Sequence, residues 1–287
     1  MPTDRKMPRS PEIIEKKLGL FAFELLMIAI TLVFLLPLYF LIITAFKTSK
    51  ELIFTPLGWP NSFYTQNFVN AWHNVAMGKA FLNTIIVALS AVLGRMVISS
   101  MAAFTIAKKP SKFHEFLYVF FLVGIMIPIY SMLVPMIKQI KDLGLMNSLQ
   151  GLVIVYMGTG VPFSIFLLTG FTRGLPNELV EAAVIDGCGV YRIFWRIVFP
   201  LLKPVLSTLF LLDFLGIWND FLLPMLMLSS NNLRTITLAM YSFYSEYGSR
   251  WEQTFAGYTL AILPLVALFL LLQKNIVAGI MVGAVKG

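Results

Sequence analysis

From about Leu25 to Phe46 the chain carries no ionised side chain, and a run of that length crosses the roughly 30 Å hydrocarbon core of a bilayer only as a helix. Five further apolar runs follow, from about Phe81 to Ala107, Phe116 to Met136, Leu149 to Phe171, Val205 to Leu228 and Phe255 to Leu272. Within all six, only Arg95, Asp213 and Asp220 bring charge into the apolar interior. A composition of 58 % hydrophobic and 13 % charged residues is incompatible with a water-soluble globule. The expected fold is an all-α integral membrane protein of six transmembrane helices. No connection is long enough for a separate catalytic domain, and neither low-complexity tracts nor an internal repeat are visible. The chain therefore reads as a segment 1–24, a six-span domain 25–272 and a tail 273–287.

Charge placement orients the spans. The lead carries Arg5, Lys6, Arg9, Lys16 and Lys17, and Lys108, Lys109 and Lys112 surround Pro110 in a tight turn after the second span. With both on the cytoplasmic side, fourteen of the 22 Lys and Arg fall inside, seven outside and one, Arg95, within a span, which satisfies the positive-inside rule. Both termini are then cytoplasmic, and the protein is expected to cross its membrane several times. The net charge of +8 is accounted for by this placement and implies no nucleic-acid partner. Trp59 and Trp72 suit an external interface. The first run is too long for a signal-peptide core. A single cysteine, Cys188, and two distant histidines, His73 and His114, offer no disulfide or metal-ligand set. Gly158, Gly160 and Pro162 predict an irregular fourth span or close packing there.

The most informative stretch lies between the fourth and fifth spans, over residues 175–200. It reads Leu175-Pro-Asn-Glu-Leu-Val-Glu-Ala-Ala-Val-Ile-Asp-Gly187 and then Val190 to Pro200, the pattern of helix, turn, helix. Pro176 suits a helix start, Glu178 puts negative charge in the first turn, and Asp186-Gly187 suits its end. Ala182 and Ala183 let a partner's backbone approach, and Glu181 offers a carboxylate to a cation across a contact. On this side of the membrane, the pattern describes a docking knob.

Glu181-Ala182-Ala183, Gly187, Ile197 and Pro200 resemble, at matching spacing, the hallmark of the integral membrane subunits of binding-protein-dependent ABC importers, with Phe199 in place of the usual leucine. Trp218-Asn219-Asp220-Phe221-Leu222-Leu223-Pro224 and the tail from Gln273 to Gly287 resemble the carbohydrate branch, of the maltose-permease second-subunit type. The resemblance implies the type I importer permease fold, with 175–200 as a coupling helix seated in an ATPase subunit through Glu181, Ala182, Ala183, Ile185, Asp186, Gly187, Ile197 and Pro200. It also implies a homologous second permease subunit, two ATP-binding subunits, an external solute-binding protein and a sugar cargo. ATP and Mg belong to the ATPase subunits; this chain has no glycine-rich phosphate loop and is expected to bind no cofactor and catalyse no reaction.

Charge inside a span is costly and marks pairing or a polar path. Arg95 and Asp213 lie twelve and ten residues from the cytoplasmic ends of their spans, on the order of 15 to 18 Å deep at about 1.5 Å per residue. They are expected to pair or to face the path between subunits. Trp218, Asn219 and Asp220 combine an aromatic face with amide and carboxylate groups, which suits sugar hydroxyls; the alternative is that they anchor a helix end. The stretch from Ser229 to Thr254, with Asn231, Asn232, Arg234 and Tyr241, is either a contact for a delivered binding protein or a solvated connector. Among other classes, a permease for a non-sugar solute and an ion-coupled carrier stay open, whereas an intramembrane enzyme lacks its catalytic set.

Overall fold

The structure is a computed structural model that describes residues 10–109, 111–245 and 250–284, with side chains over 16–109, 111–243, 250–271 and 273. Arg5, Lys6, Arg9 and Pro110 lie outside it, as do residues 285–287 of the tail. Among the described residues every regular element is a helix. Helix α1 (Ser10–Ala45) leads to a short α2 (Ser49–Phe54) and to α3 (Gln66–Asn74). The long α4 (Met77–Lys108) is followed by α5 (Lys112–Met126), α6 (Ile129–Asp142) and α7 (Leu149–Arg173). Two shorter helices, α8 (Asn177–Ile185) and α9 (Val190–Leu201), form the hook between spans four and five. The chain ends with α10 (Lys203–Asn219), α11 (Leu222–Met227), α12 (Ile236–Ser245) and α13 (Trp251–Ala284).

Four of these helices are long and apolar enough to cross a membrane unbroken, and six crossings result if two bent pairs each count as one. One pair is α5 with α6 and the other α9 with α10, which meet at 72°. Two expected boundaries change. The expected third span turns by 102° between α5 and α6, where Pro128 removes a donor and pushes Ile127 into extended backbone. The expected fifth span stops at Asn219, because Asp220 is extended and the chain restarts as α11. The fourth span, in contrast, runs unbroken through Gly158, Gly160 and Pro162.

The centre of the bundle is the pairing of α4 with α7, with α10 laid against both. Small side chains make the approach close: Ala80, Ala88, Ala91 and Ala103 of α4 are buried in one core with Leu152 and Leu168 of α7 and Leu206 and Leu209 of α10. The outward faces stay apolar and exposed, as in Phe34, Phe120 and Phe269, which is the surface a lipid solvent permits.

At the end opposite the hook, a polar knot closes the bundle. Lys47 is fully buried, and its Nζ donates to the carbonyls of Thr55 (2.6 Å) and Pro56 (2.8 Å). Asn67 donates to the carbonyls of Ala45 and Lys47, and Ser49 and Asn74 reach Glu252 and Gln253 at the start of α13. Thr48 and Glu51 cap α2 reciprocally. Backbone donors of Thr48 and Asn61 hold the Glu51 carboxyl below the usual carboxylate range. The stretch from Ser229 onward is no solvated connector: Asn147 accepts from the amides of Ser229 and Ser230, and α12 buries Ile236, Ala239, Met240 and Phe243.

Candidate functional site

The hook is built from its ends inward. At its root, Lys108 at the end of α4 donates to the Leu175 carbonyl (2.6 Å) and to Asn177 Oδ1 (2.7 Å), which fixes where α8 begins. At its tip, Gly187 takes φ +74°, and the amides of Gly187 and Cys188 donate to the carbonyls of Val184 and Ala183. This is the paired bonding that ends a helix over a left-handed residue, which glycine adopts without steric cost. Helix α9 then returns to the bundle: Ile193 and Phe194 are buried, and the Phe194 ring meets Phe104 of α4 at 5.9 Å.

A π-turn interrupts α9 over Phe194–Val198, with the Phe199 amide donating to Phe194 O five residues back. The widened turn precedes Pro200, which has no amide to continue the ladder. Phe199, the position where leucine is usual, packs its ring against Trp195 at 5.0 Å and Phe194 at 5.7 Å. The exchange is thus absorbed by an aromatic cluster.

The two alanines of the motif part company. Ala183 is buried against this chain's own core, whereas Ala182 is exposed beside Glu181, Asp186 and Gly187. Pro200 is exposed and Ile197 half-buried. The outward face carries large apolar groups, with Ile185 85 %, Tyr191 74 % and Val184 59 % exposed. Nothing in this chain covers them among the described residues.

The intramembrane charges converge on a second centre. Arg95 of α4 and Asp213 of α10 form an ion pair at 2.5 Å, nearly inaccessible on both sides. The guanidinium also reaches the Tyr156 carbonyl of α7 at 3.4 Å. It lies against Gly160, where a Cβ would overlap Arg95 Nη1. Gly160 is therefore the place α7 leaves for the cation.

Asp220 holds the break that ends α10. Its Oδ1 accepts from the Leu222 amide (2.9 Å) and its Oδ2 from the Tyr156 hydroxyl (2.8 Å), so one carboxylate both turns the chain and ties it to α7. Tyr156 was not singled out by the sequence, and it links the two acidic positions. Trp218 is 2 % exposed and enclosed by Phe214 and Phe81 at 5.5 and 5.9 Å, so its ring is core and not a platform for a ligand. Asn219 is exposed, with its amide donating to Leu215 O. Replacing Asp220 by alanine is expected to cost about 1.5–3 kcal/mol for the bonds to a charged acceptor, and Tyr156→Phe clearly less. Unfolding temperatures of the purified variants in detergent check the order.

The sequence model of the family described as binding-protein-dependent transport system inner membrane component matches residues 95–282, a span that takes in the Arg95 pair, the hook and α10. The chain belongs to this family. Among similar inner membrane components, the probable starch degradation products transport system permease protein AmyC of Thermoanaerobacterium thermosulfurigenes is 37 % identical, over 90 % of this chain and 94 % of that one. The melibiose/raffinose/stachyose import permease protein MelC of Bacillus subtilis is 34 % identical, over 88 % and 91 %. The fold matches a chain of a bacterial ABC transporter for alginate import with a TM-score of 0.77 at 20 % identity, over 96 % and 99 %. That likeness establishes the type I importer permease architecture for this inner membrane component.

Proposed function

We propose that this chain is the permease subunit of an ATP-driven sugar importer, supplying half of the translocation pathway. The observation that carries this is the hook: a helical pair pinned at its root by Lys108 and presenting exposed Ala182, Val184 and Ile185 beside Glu181. An apolar tip of that kind is costly in water unless a partner covers it. It lies at the end of the bundle where Lys108, Lys109, Lys112, Arg173 and Lys203 gather, which favours the cytoplasm. The partner is then one of two ATP-binding subunits, whose closure over ATP and Mg draws the hooks together and tilts the spans. A homologous second permease subunit completes the pathway, and both termini of this chain are cytoplasmic.

The sugar cargo rests on the relatives, which are named for starch degradation products and for melibiose, raffinose and stachyose. The alginate transporter has a structure with an oligosaccharide-bound periplasmic protein, which supports delivery by an external binding protein here too. Asn219, exposed beside the buried Trp218, is the polar group placed to meet cargo. In proteoliposomes holding the assembled complex, uptake of an oligosaccharide is expected only with internal ATP and added binding protein. Uptake driven by a proton or sodium gradient alone overturns the proposal, and ATP-dependent uptake confined to a non-sugar solute overturns its cargo.

A further inference from the structure

A cavity of about 350 Å³ opens where the hook joins the bundle, lined by Tyr118, Phe166, Gly170, Leu175, Leu201 and Val205 among others. Its size falls within the roughly 300–1,000 Å³ of small-molecule sites. The walls are mainly apolar, yet the helix ends framing it are basic. The Arg173 guanidinium lies 4.6 Å over the Tyr118 ring, and Lys203 stands between the lining residues Leu202 and Pro204. Both cations are exposed. Lys108 is engaged with the Leu175 carbonyl and faces Glu178, which leaves Arg173 and Lys203 for an outside anion. Gly170 keeps the wall open, since nothing lies within 4 Å of where its Cβ would stand.

We propose that this cavity takes an acyl chain of an anionic phospholipid from the adjacent leaflet, with the phosphate held at Arg173 and Lys203. An apolar slot between membrane helices beneath exposed cations has the chemistry of an anionic lipid site, and neither a sugar nor a nucleotide suits such walls. The lipid would fill the gap between α7 and α10 under both arms of the hook, at Leu175 and Leu201, and so set its stance. The leaflet assignment rests on the proposed cytoplasmic placement of the hook, whereas the binding itself does not.

The test uses the full chain in nanodiscs of phosphatidylcholine doped with phosphatidylglycerol that carries a photoreactive group in its acyl chain. Label is expected in peptides spanning 166–175 and 201–205, displaced by unlabelled phosphatidylglycerol and not by more phosphatidylcholine. Arg173→Gln is expected to cut the preference for the anionic lipid about fivefold, the factor one cation near the surface contributes. Gly170→Trp, which points into empty space and leaves the charges in place, is expected to abolish the label. Label spread evenly over the apolar surface, or equal labelling by the phosphatidylcholine analogue in both variants and the parent, overturns the site. Because both leaflets have the same composition and no transport is required, failed ATP-driven uptake with this pattern intact counts against the importer reading alone.

Discussion

Asp213→Asn or Arg95→Met, made singly, is expected to destabilise the bundle by about 3–5 kcal/mol, the cost of leaving one member of a buried pair uncompensated. The pair has almost no access to water, and the guanidinium touches all three central helices through Asp213, the Tyr156 carbonyl and the hollow at Gly160. Either variant should unfold at a lower temperature and lose most ATP-driven uptake. Replacing both residues together with apolar ones of similar volume is expected to recover much of the stability, and reversing both charges part of it. Gly160→Ala should behave like loss of the pair, since the methyl group and Arg95 Nη1 cannot share the site. If neither double variant recovers anything over the singles, the two residues do not act as a unit.

Ala182→Arg is expected to leave the permease folded and to weaken retention of the ATP-hydrolysing partner by about 2 kcal/mol or more, roughly thirtyfold, as for a residue central to an interface. Ala183→Arg, one position on, should instead prevent correct folding, because Ala183 is 5 % exposed and its surroundings belong to this chain. Copurification of the ATPase, read beside the size-exclusion profile of the permease, separates the two. Full retention and uptake with Ala182→Arg would show that the partner docks elsewhere.

What was legible in the sequence follows from which forces act locally. Long apolar runs locate the spans because each must satisfy its own backbone hydrogen bonds in lipid, and the pairing of Arg95 with Asp213 follows from their similar depth. The breaks at Pro128 and Asp220 carried signals that hydropathy averages away: a proline that restricts the residue before it, and an aspartate able to bond an amide two residues on. The motif placed the hook but not the different fates of Ala182 and Ala183, since which face of α8 turns inward depends on where α9 returns along α4. Trp218 could not be sorted into core or binding site, because Phe81, which closes over it, comes from a distant part of the chain. The burial of Lys47 was likewise invisible, because its partners are carbonyls of Thr55 and Pro56 presented by a particular loop shape.

The placement of α1 has a consequence for how the protein is made. Among its described side chains only those near its end are buried, and its main neighbour is α13, through Phe40 against Phe255, with Ser49 of α2 donating to Glu252 of the same helix. During synthesis the leading span enters the bilayer some two hundred residues ahead of the strand of chain that will hold it. It must wait in lipid as an independent helix, so the polar knot around Lys47 can be completed only once the start of α13 has been made.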